Sequence, residues 1–141
     1  MNGTDARPSK GRSVWAVLAG FIVIVVLSMG VDAIMHATGV FPAIGQAMSD
    51  GLFAWATIYR VIASIIGCYV TARLAPNRPM THALSLGVLG IVISGVAAIV
   101  TWNKGPAFGP HWYPIALALV SIPCAWIGGK IYETNELKTT S

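Results

Sequence analysis

The composition of the chain indicates which solvent surrounds it. Of its 141 residues, 55% are hydrophobic and 10% are charged, and the net charge is +4. A soluble domain carries roughly 25% charged residues, so this chain is not an ordinary soluble domain, and the lipid bilayer is its expected partner. Its basic residues lie at the ends of apolar segments rather than in one patch, so we expect no nucleic-acid partner.

The sequence divides into a membrane domain and two polar tails. Residues 1–12 are predicted to be a disordered cytoplasmic tail. Residues 132–141 are predicted to be a second cytoplasmic tail, into which the last helix can continue for a turn. Residues 13–131 contain four apolar segments, each close to the ~20 residues that cross a bilayer as a helix. They are therefore predicted to form a transmembrane domain with helices at about 14–36, 52–73, 81–102 and 112–130.

The first apolar segment has a second interpretation, a cleaved signal peptide. The run from Val14 to Val31 is longer than the roughly 7–15 residues of a signal-peptide hydrophobic region. No pattern of small residues typical of a cleavage site follows it. We therefore interpret this segment as the first span.

The basic residues predict how the spans are oriented. One loop contains only Lys104, whereas the opposite side of the four spans holds Arg7, Lys10, Arg12, Arg73, Arg78, Lys130 and Lys138. Cytoplasmic loops carry the excess of Lys and Arg in membrane proteins. The predicted fold is therefore an all-α polytopic membrane protein, a four-transmembrane-helix antiparallel bundle with both termini in the cytoplasm.

Small residues recur on single helical faces and predict where the helices pack. At such spacing they let two backbones approach closely, which favours helix association in lipid. In the second segment Gly67 belongs to such a stripe, and Arg60 lies on the same face, so Arg60 should face protein. The stripe of the third segment consists of Ala83, Gly87, Gly90, Ser94 and Ala98.

Arg60 is the best indication of a functional site, because a charged side chain deep in a span is costly and marks a functional site by default. We predict an intramembrane polar site in which Asp32 holds Arg60, while His36 or backbone carbonyls accept its remaining hydrogen bonds. The alternative is that Arg60 extends to water or to lipid phosphate without a protein partner.

Other polar residues raise the hypotheses of a metal site and a proton relay, neither of which the sequence favours. Asp32 and His36 share a helical face, and Asp50 and His111 could join them as metal ligands or as a proton relay. Polar groups at the membrane rim are the simpler interpretation, so we expect no metal site and no cofactor. The two cysteines, Cys68 and Cys124, are interpreted as packed thiols because the cytosol is reducing.

Four stretches, "ARLAPNRPMTHAL", "TWN", "HWYPIALAL" and "PCAWIGGKI", resemble a family of uncharacterised small bacterial inner-membrane proteins with four predicted transmembrane helices. The resemblance covers about residues 55–131. It implies a multi-pass location in the bacterial inner (plasma) membrane. The family has no assigned activity, so no functional residue is carried over.

Two classes of function fit these observations. No phosphate-binding loop and no nucleophile–base set is present, so the protein is predicted not to be an enzyme. The first class is a non-enzymatic structural or accessory component, in a homo-oligomer or a larger membrane complex. The second is a small proton- or anion-coupled transporter that uses Arg60 with Asp32 and His36. The sequence favours the first class because it requires fewer assumptions.

Overall fold

A computed structural model describes residues 10–141, and all regular secondary structure within them is helical. The long helices are α1 (Lys10–Ala37), α2 (Asp50–Leu74), α3 (Pro79–Thr101) and α4 (Trp112–Thr140), and one 3-10 turn covers Pro106–Phe108. All four long helices are long and apolar enough to cross a membrane, which is the architecture of a multi-pass membrane protein. The predicted all-α fold with four spans is confirmed to this extent.

The helix bounds differ from the predicted ones mainly at the two tails. Helix α1 begins at Lys10 and so includes the end of the predicted tail, whereas residues 1–9 of that tail lie outside the described residues. Helix α4 continues to Thr140, so the predicted tail over 132–141 is largely helical. The physical reason is that this segment contains no glycine or proline, and Glu133, Glu136 and Lys138 are strong helix formers.

Local sequence signals explain where α2 and α3 begin and end. Ser49 caps α2 in an extended conformation and its side chain accepts a hydrogen bond from the backbone N–H of Leu52. Ala75 ends α2 in an extended conformation, as expected for a residue that precedes a proline. Arg78 adopts a left-handed conformation with φ 44°, and Pro79 then opens α3. The α2–α3 connection is therefore a sharp turn.

The helices pack most extensively as three pairs, α1 with α2, α2 with α4, and α3 with α4. Glycines permit the closest approaches. A Cβ at Gly67 would lie 2.7 Å from the carbonyl oxygen of Gly20, and one at Gly128 would lie 2.7 Å from the carbonyl oxygen of Ile65. No side chain fits at these crossings, so Gly20 and Gly67 fix the register of α1 against α2.

The predicted small-residue stripe of α3 lies on the side that meets the other helices. A Cβ at Gly87 would lie 2.7 Å from the Cβ of Ala125 in α4. Val88 and Val92, on other faces of α3, are 53% and 55% exposed. Of the stripe, Ala83 and Gly87 are buried, and the remaining members are half-buried: Gly90, Ser94 and Ala98.

Two irregular connections meet at one end of the bundle, which we call the loop end. The α1–α2 connection, residues 38–49, folds back so that Phe41 is buried against Ala56 and Tyr59 of α2. The α3–α4 connection, residues 102–111, lies beside it, and Ala107 lines a cavity that the α1–α2 connection also lines. At the opposite end, the Thr71 hydroxyl donates to the carbonyl oxygen of Ala16 across 3.0 Å. The candidate site lies between these two ends.

Candidate functional site

The structure brings Asp32 and Arg60 into direct contact between α1 and α2. Arg60 Nη2 donates to Asp32 Oδ2 across 2.6 Å, and the Tyr59 hydroxyl donates to the other carboxylate oxygen, Oδ1. The Arg60 and Asp32 side chains are 31% and 27% exposed, respectively. The carboxylate of α1 is thus held by two neighbouring residues of α2.

The helix register explains the geometry of this pair. Gly20 and Gly67 mark one level of the α1–α2 contact because each backbone closely approaches the other. From that level Asp32 lies twelve residues along α1, about 18 Å, whereas Arg60 lies seven residues along α2, about 10.5 Å, at 1.5 Å per residue. The arginine side chain therefore extends by about 7.5 Å toward the loop end to reach its partner.

Two tyrosines surround the guanidinium group. The Cζ atom of Arg60 lies 6.0 Å from the ring centre of Tyr59 and 5.9 Å from that of Tyr113, which is within the range of a cation–π interaction. Neither tyrosine was predicted from the sequence to lie at the ion pair. The available signal was the adjacency of Tyr59 to Arg60, a second polar side chain inside the same apolar segment.

A cavity of about 250 Å³ lies on the loop-end side of the ion pair, and we call it the vestibule. Its polar lining comes from three helices and from Gln46 of the α1–α2 connection, which also supplies most of the apolar lining. The polar side chains that line it are Asp32, His36, Gln46, Tyr59, Arg60 and Tyr113. These groups provide a carboxylate, an imidazole, a guanidinium and two phenols to a single volume.

His36 belongs to the vestibule and not to the coordination of Arg60. Its Nδ1 lies 2.9 Å from the carbonyl oxygen of Pro42, which can only accept, so Nδ1 donates. Its ring also meets that of Phe41 edge-on at 5.4 Å. The predicted contact between His36 and Arg60 is absent from the described residues, because the α1–α2 connection holds the imidazole and the Tyr59 hydroxyl supplies the second bond to Asp32.

A second cavity of about 270 Å³ also has Arg60 in its wall. Its lining is mostly apolar, but each of the four helices contributes one serine, and we call it the serine cavity. The serines are Ser28, Ser64, Ser94 and Ser121. Leu86 lines this cavity on the side away from the loop end. Near Leu86, the contact of Gly20 with Gly67 packs α1 tightly against α2.

The residues considered as metal ligands do not assemble. Nε2 of His111 lies 2.8 Å from the carbonyl oxygen of Trp102, and its ring stacks on that of Trp102 at 4.1 Å. Asp50 lies exposed at the first residue of α2. Within residues 10–141, no three His, Cys, Asp or Glu side chains are grouped so that they could hold a metal ion. Cys68 and Cys124 are both free and buried.

The site therefore combines a fixed cation, a carboxylate that can accept a proton and a nearby imidazole, with cavities on both sides of the cation. Such a set can bind an anion or pass a proton, because ionisable groups inside a membrane serve in both roles. The chain matches no protein-family model, no curated protein and no solved structure.

Proposed function

We propose that the protein is a small proton- or anion-coupled transporter that uses Arg60 with Asp32 and His36. The observation that carries this proposal is that Arg60 borders both the vestibule and the serine cavity. An arginine whose only role is to join two helices would not need to line two cavities. This geometry favours the transporter over the accessory component that the sequence alone favours.

The proposed topology is an antiparallel bundle in the bacterial inner membrane with both termini in the cytoplasm. Two contacts support it: Thr71 meets Ala16 near one end of α1, and Arg60 meets Asp32 near the other. The distribution of basic residues supports a periplasmic loop end, because Lys104 is the only lysine or arginine in its connections. The vestibule then opens toward periplasmic water.

The chemistry of the pair explains why an ionisable residue would be kept here. Replacing a buried ion pair with apolar residues is often neutral or even stabilising, so stability alone does not require Asp32 and Arg60. When Asp32 accepts a proton from the vestibule, the attraction between the pair is lost and Arg60 becomes free to bind an anion. His36, at the exposed side of the vestibule, is placed to exchange that proton with water.

The experiment that tests the proposal measures proton and anion flux in liposomes containing the purified full chain and a pH-sensitive dye. Asp32→Asn and Arg60→Gln should each reduce proton-coupled flux at least about tenfold. The matched controls are Asp50→Asn, an exposed carboxylate of α2, and Arg73→Gln, an exposed arginine of the same helix. Flux equal to that of protein-free liposomes, or equal losses in the controls, would contradict the transporter proposal.

A non-enzymatic structural or accessory component remains the second candidate, and the outer faces of the bundle favour it. Helices α1 and α3 expose large apolar side chains, among them Met29 at 64% and Ile99 at 79%. Lipid or the helices of a partner can cover such faces. Native mass spectrometry of the protein extracted from its own membrane distinguishes the two: stoichiometric co-purifying subunits favour the accessory role, and a homodimer with a retained small anion or metal favours the transporter.

A further inference from the structure

The serine cavity has the donors and the volume of an anion site. We infer that it binds a weakly hydrated monovalent anion such as chloride, and that this anion competes with Asp32 for Arg60. The inference rests on the proposed transporter function and names the solute of the same site. Helices α1, α2, α3 and α4 each contribute one hydroxyl to the wall of this cavity.

Three of the four hydroxyls are uncommitted. The Ser121 hydroxyl donates to the carbonyl oxygen of Leu117 across 2.7 Å. In the described part of the chain, no hydrogen bond involves the side chain of Ser28, Ser64 or Ser94. A hydroxyl in a membrane helix usually donates to the carbonyl four residues earlier, so donors that forgo this bond beside a cavity are available to a ligand.

Arg60 supplies the charge and also has unused donors. A guanidinium carries five N–H groups, and within residues 10–141 its only acceptor is Asp32. Its Nε atom is buried without any hydrogen-bond partner. A buried donor left in this state costs free energy, which a bound anion near the guanidinium would offset.

The lining of the cavity selects the kind of anion. The fixed positive charge of Arg60 disfavours cations, and the apolar walls, among them Phe21, Ile24 and Leu117, penalise ions that hold water strongly. A second negative charge would raise the desolvation cost further. The volume of about 270 Å³ equals that of about nine waters at ~30 Å³ each, which is room for one small anion with a few waters.

Asp32 neutralises the single positive charge of Arg60, so an anion on the remaining N–H donors would add a net negative charge inside the bundle. Anion binding should therefore be linked to protonation of Asp32. The groups that face Asp32 are Tyr59 and Arg60 of α2 and Tyr113 of α4, with His36 one turn further along α1. Loss of the carboxylate charge removes the competitor for Arg60. Chloride should therefore bind more tightly as pH falls, which gives symport of a proton and an anion.

The test is chloride binding to the purified full chain in detergent, measured by chloride NMR line broadening at several pH values. Asp32→Asn should bind chloride at least about tenfold more tightly and lose most of the pH dependence. Ser28→Ala and Ser64→Ala should each weaken binding roughly tenfold, because each removes a hydrogen bond to a charged group. Ser85→Ala is the control, since this exposed serine of α3 bonds to its own helix outside the cavity.

His36→Gln distinguishes Asp32 from His36 as the source of the pH dependence of chloride binding. The pH dependence should persist in this variant, because Asp32 is unchanged. Three results would overturn the inference. One is equal chloride binding by the Ser28, Ser64 and Ser85 variants, and another is the absence of saturable line broadening in the wild type. The third is pH dependence that is lost in the His36 variant instead of the Asp32 variant. Proton flux that depends on Asp32 without chloride binding would overturn the anion site alone and leave the proposed transporter standing.

Discussion

Removing either member of the Asp32–Arg60 pair should strand the other, and this prediction can be worked from the contacts in the site. Breaking a fully buried ion pair costs about 3–5 kcal/mol, whereas an exposed pair contributes about 0.2–1 kcal/mol. The pair is 27–31% exposed, so we expect values between these limits, near the upper one because lipid screens less than water.

The two single variants should differ because Tyr59 also contacts the carboxylate. In Arg60→Leu the stranded Asp32 keeps the hydrogen bond from the Tyr59 hydroxyl, so we expect a loss of about 2–3 kcal/mol. In Asp32→Leu both Arg60 and Tyr59 lose their acceptor, so we expect about 3–4 kcal/mol. The double variant strands only the Tyr59 hydroxyl and should lose about 1 kcal/mol.

The assay is reversible unfolding of the protein in mixed micelles by increasing detergent denaturant, followed by tryptophan fluorescence. The expected coupling energy, the sum of the two single losses minus the double loss, is about 4–6 kcal/mol from these values. Asp50→Leu is the control, since this exposed residue is paired with neither Arg60 nor Tyr59. Additive losses in the double variant would refute the reasoning, because they would mean that Asp32 and Arg60 do not stabilise each other.

Three further predictions concern packing, the tyrosine and topology. Gly87→Leu should destabilise the protein by about 1–3 kcal/mol because its Cβ would press on α4, whereas Val88→Leu should be neutral; equal tolerance in the same unfolding assay would mean that α3 is turned to lipid. Tyr59→Phe should cost about 1–2 kcal/mol of unfolding free energy, since it removes one hydrogen bond to a carboxylate; an unchanged stability would show that the bond contributes nothing. Reporter fusions after Ser141 and near Lys104 should give opposite signals, and matching signals would exclude the proposed topology.

Much of the fold could be predicted from the sequence because apolar run length and helix-breaking residues are local signals. The apolar runs indicated four helices, and the small residues of α3 indicated which of its faces packs. The end of α4 was harder, because polarity suggested a tail, while the absence of glycine and proline from residues 132–140 lets the helix continue.

The contact of Arg60 with Asp32 could be anticipated from depth along the helices, since rise per residue is nearly constant. The contribution of Tyr59 and the placement of His36 depend on how the α1–α2 connection folds back through Phe41, which no periodic pattern encodes. The serine cavity depends on all four helices at once. Residues far apart in the chain that share a cavity without touching leave no local signal in one sequence.

The reactivity of a single cysteine at position 64 tests whether the Asp32–Arg60 pair closes the path from the vestibule to the serine cavity. A variant with Ser64→Cys, Cys68→Ala and Cys124→Ala would be treated with a small membrane-impermeant thiol reagent added from the vestibule side. Labelling should be slow with the intact pair and at least about tenfold faster when Asp32→Asn is added. Equal labelling rates with and without Asp32 would contradict the claim that this ion pair closes the path between the two cavities.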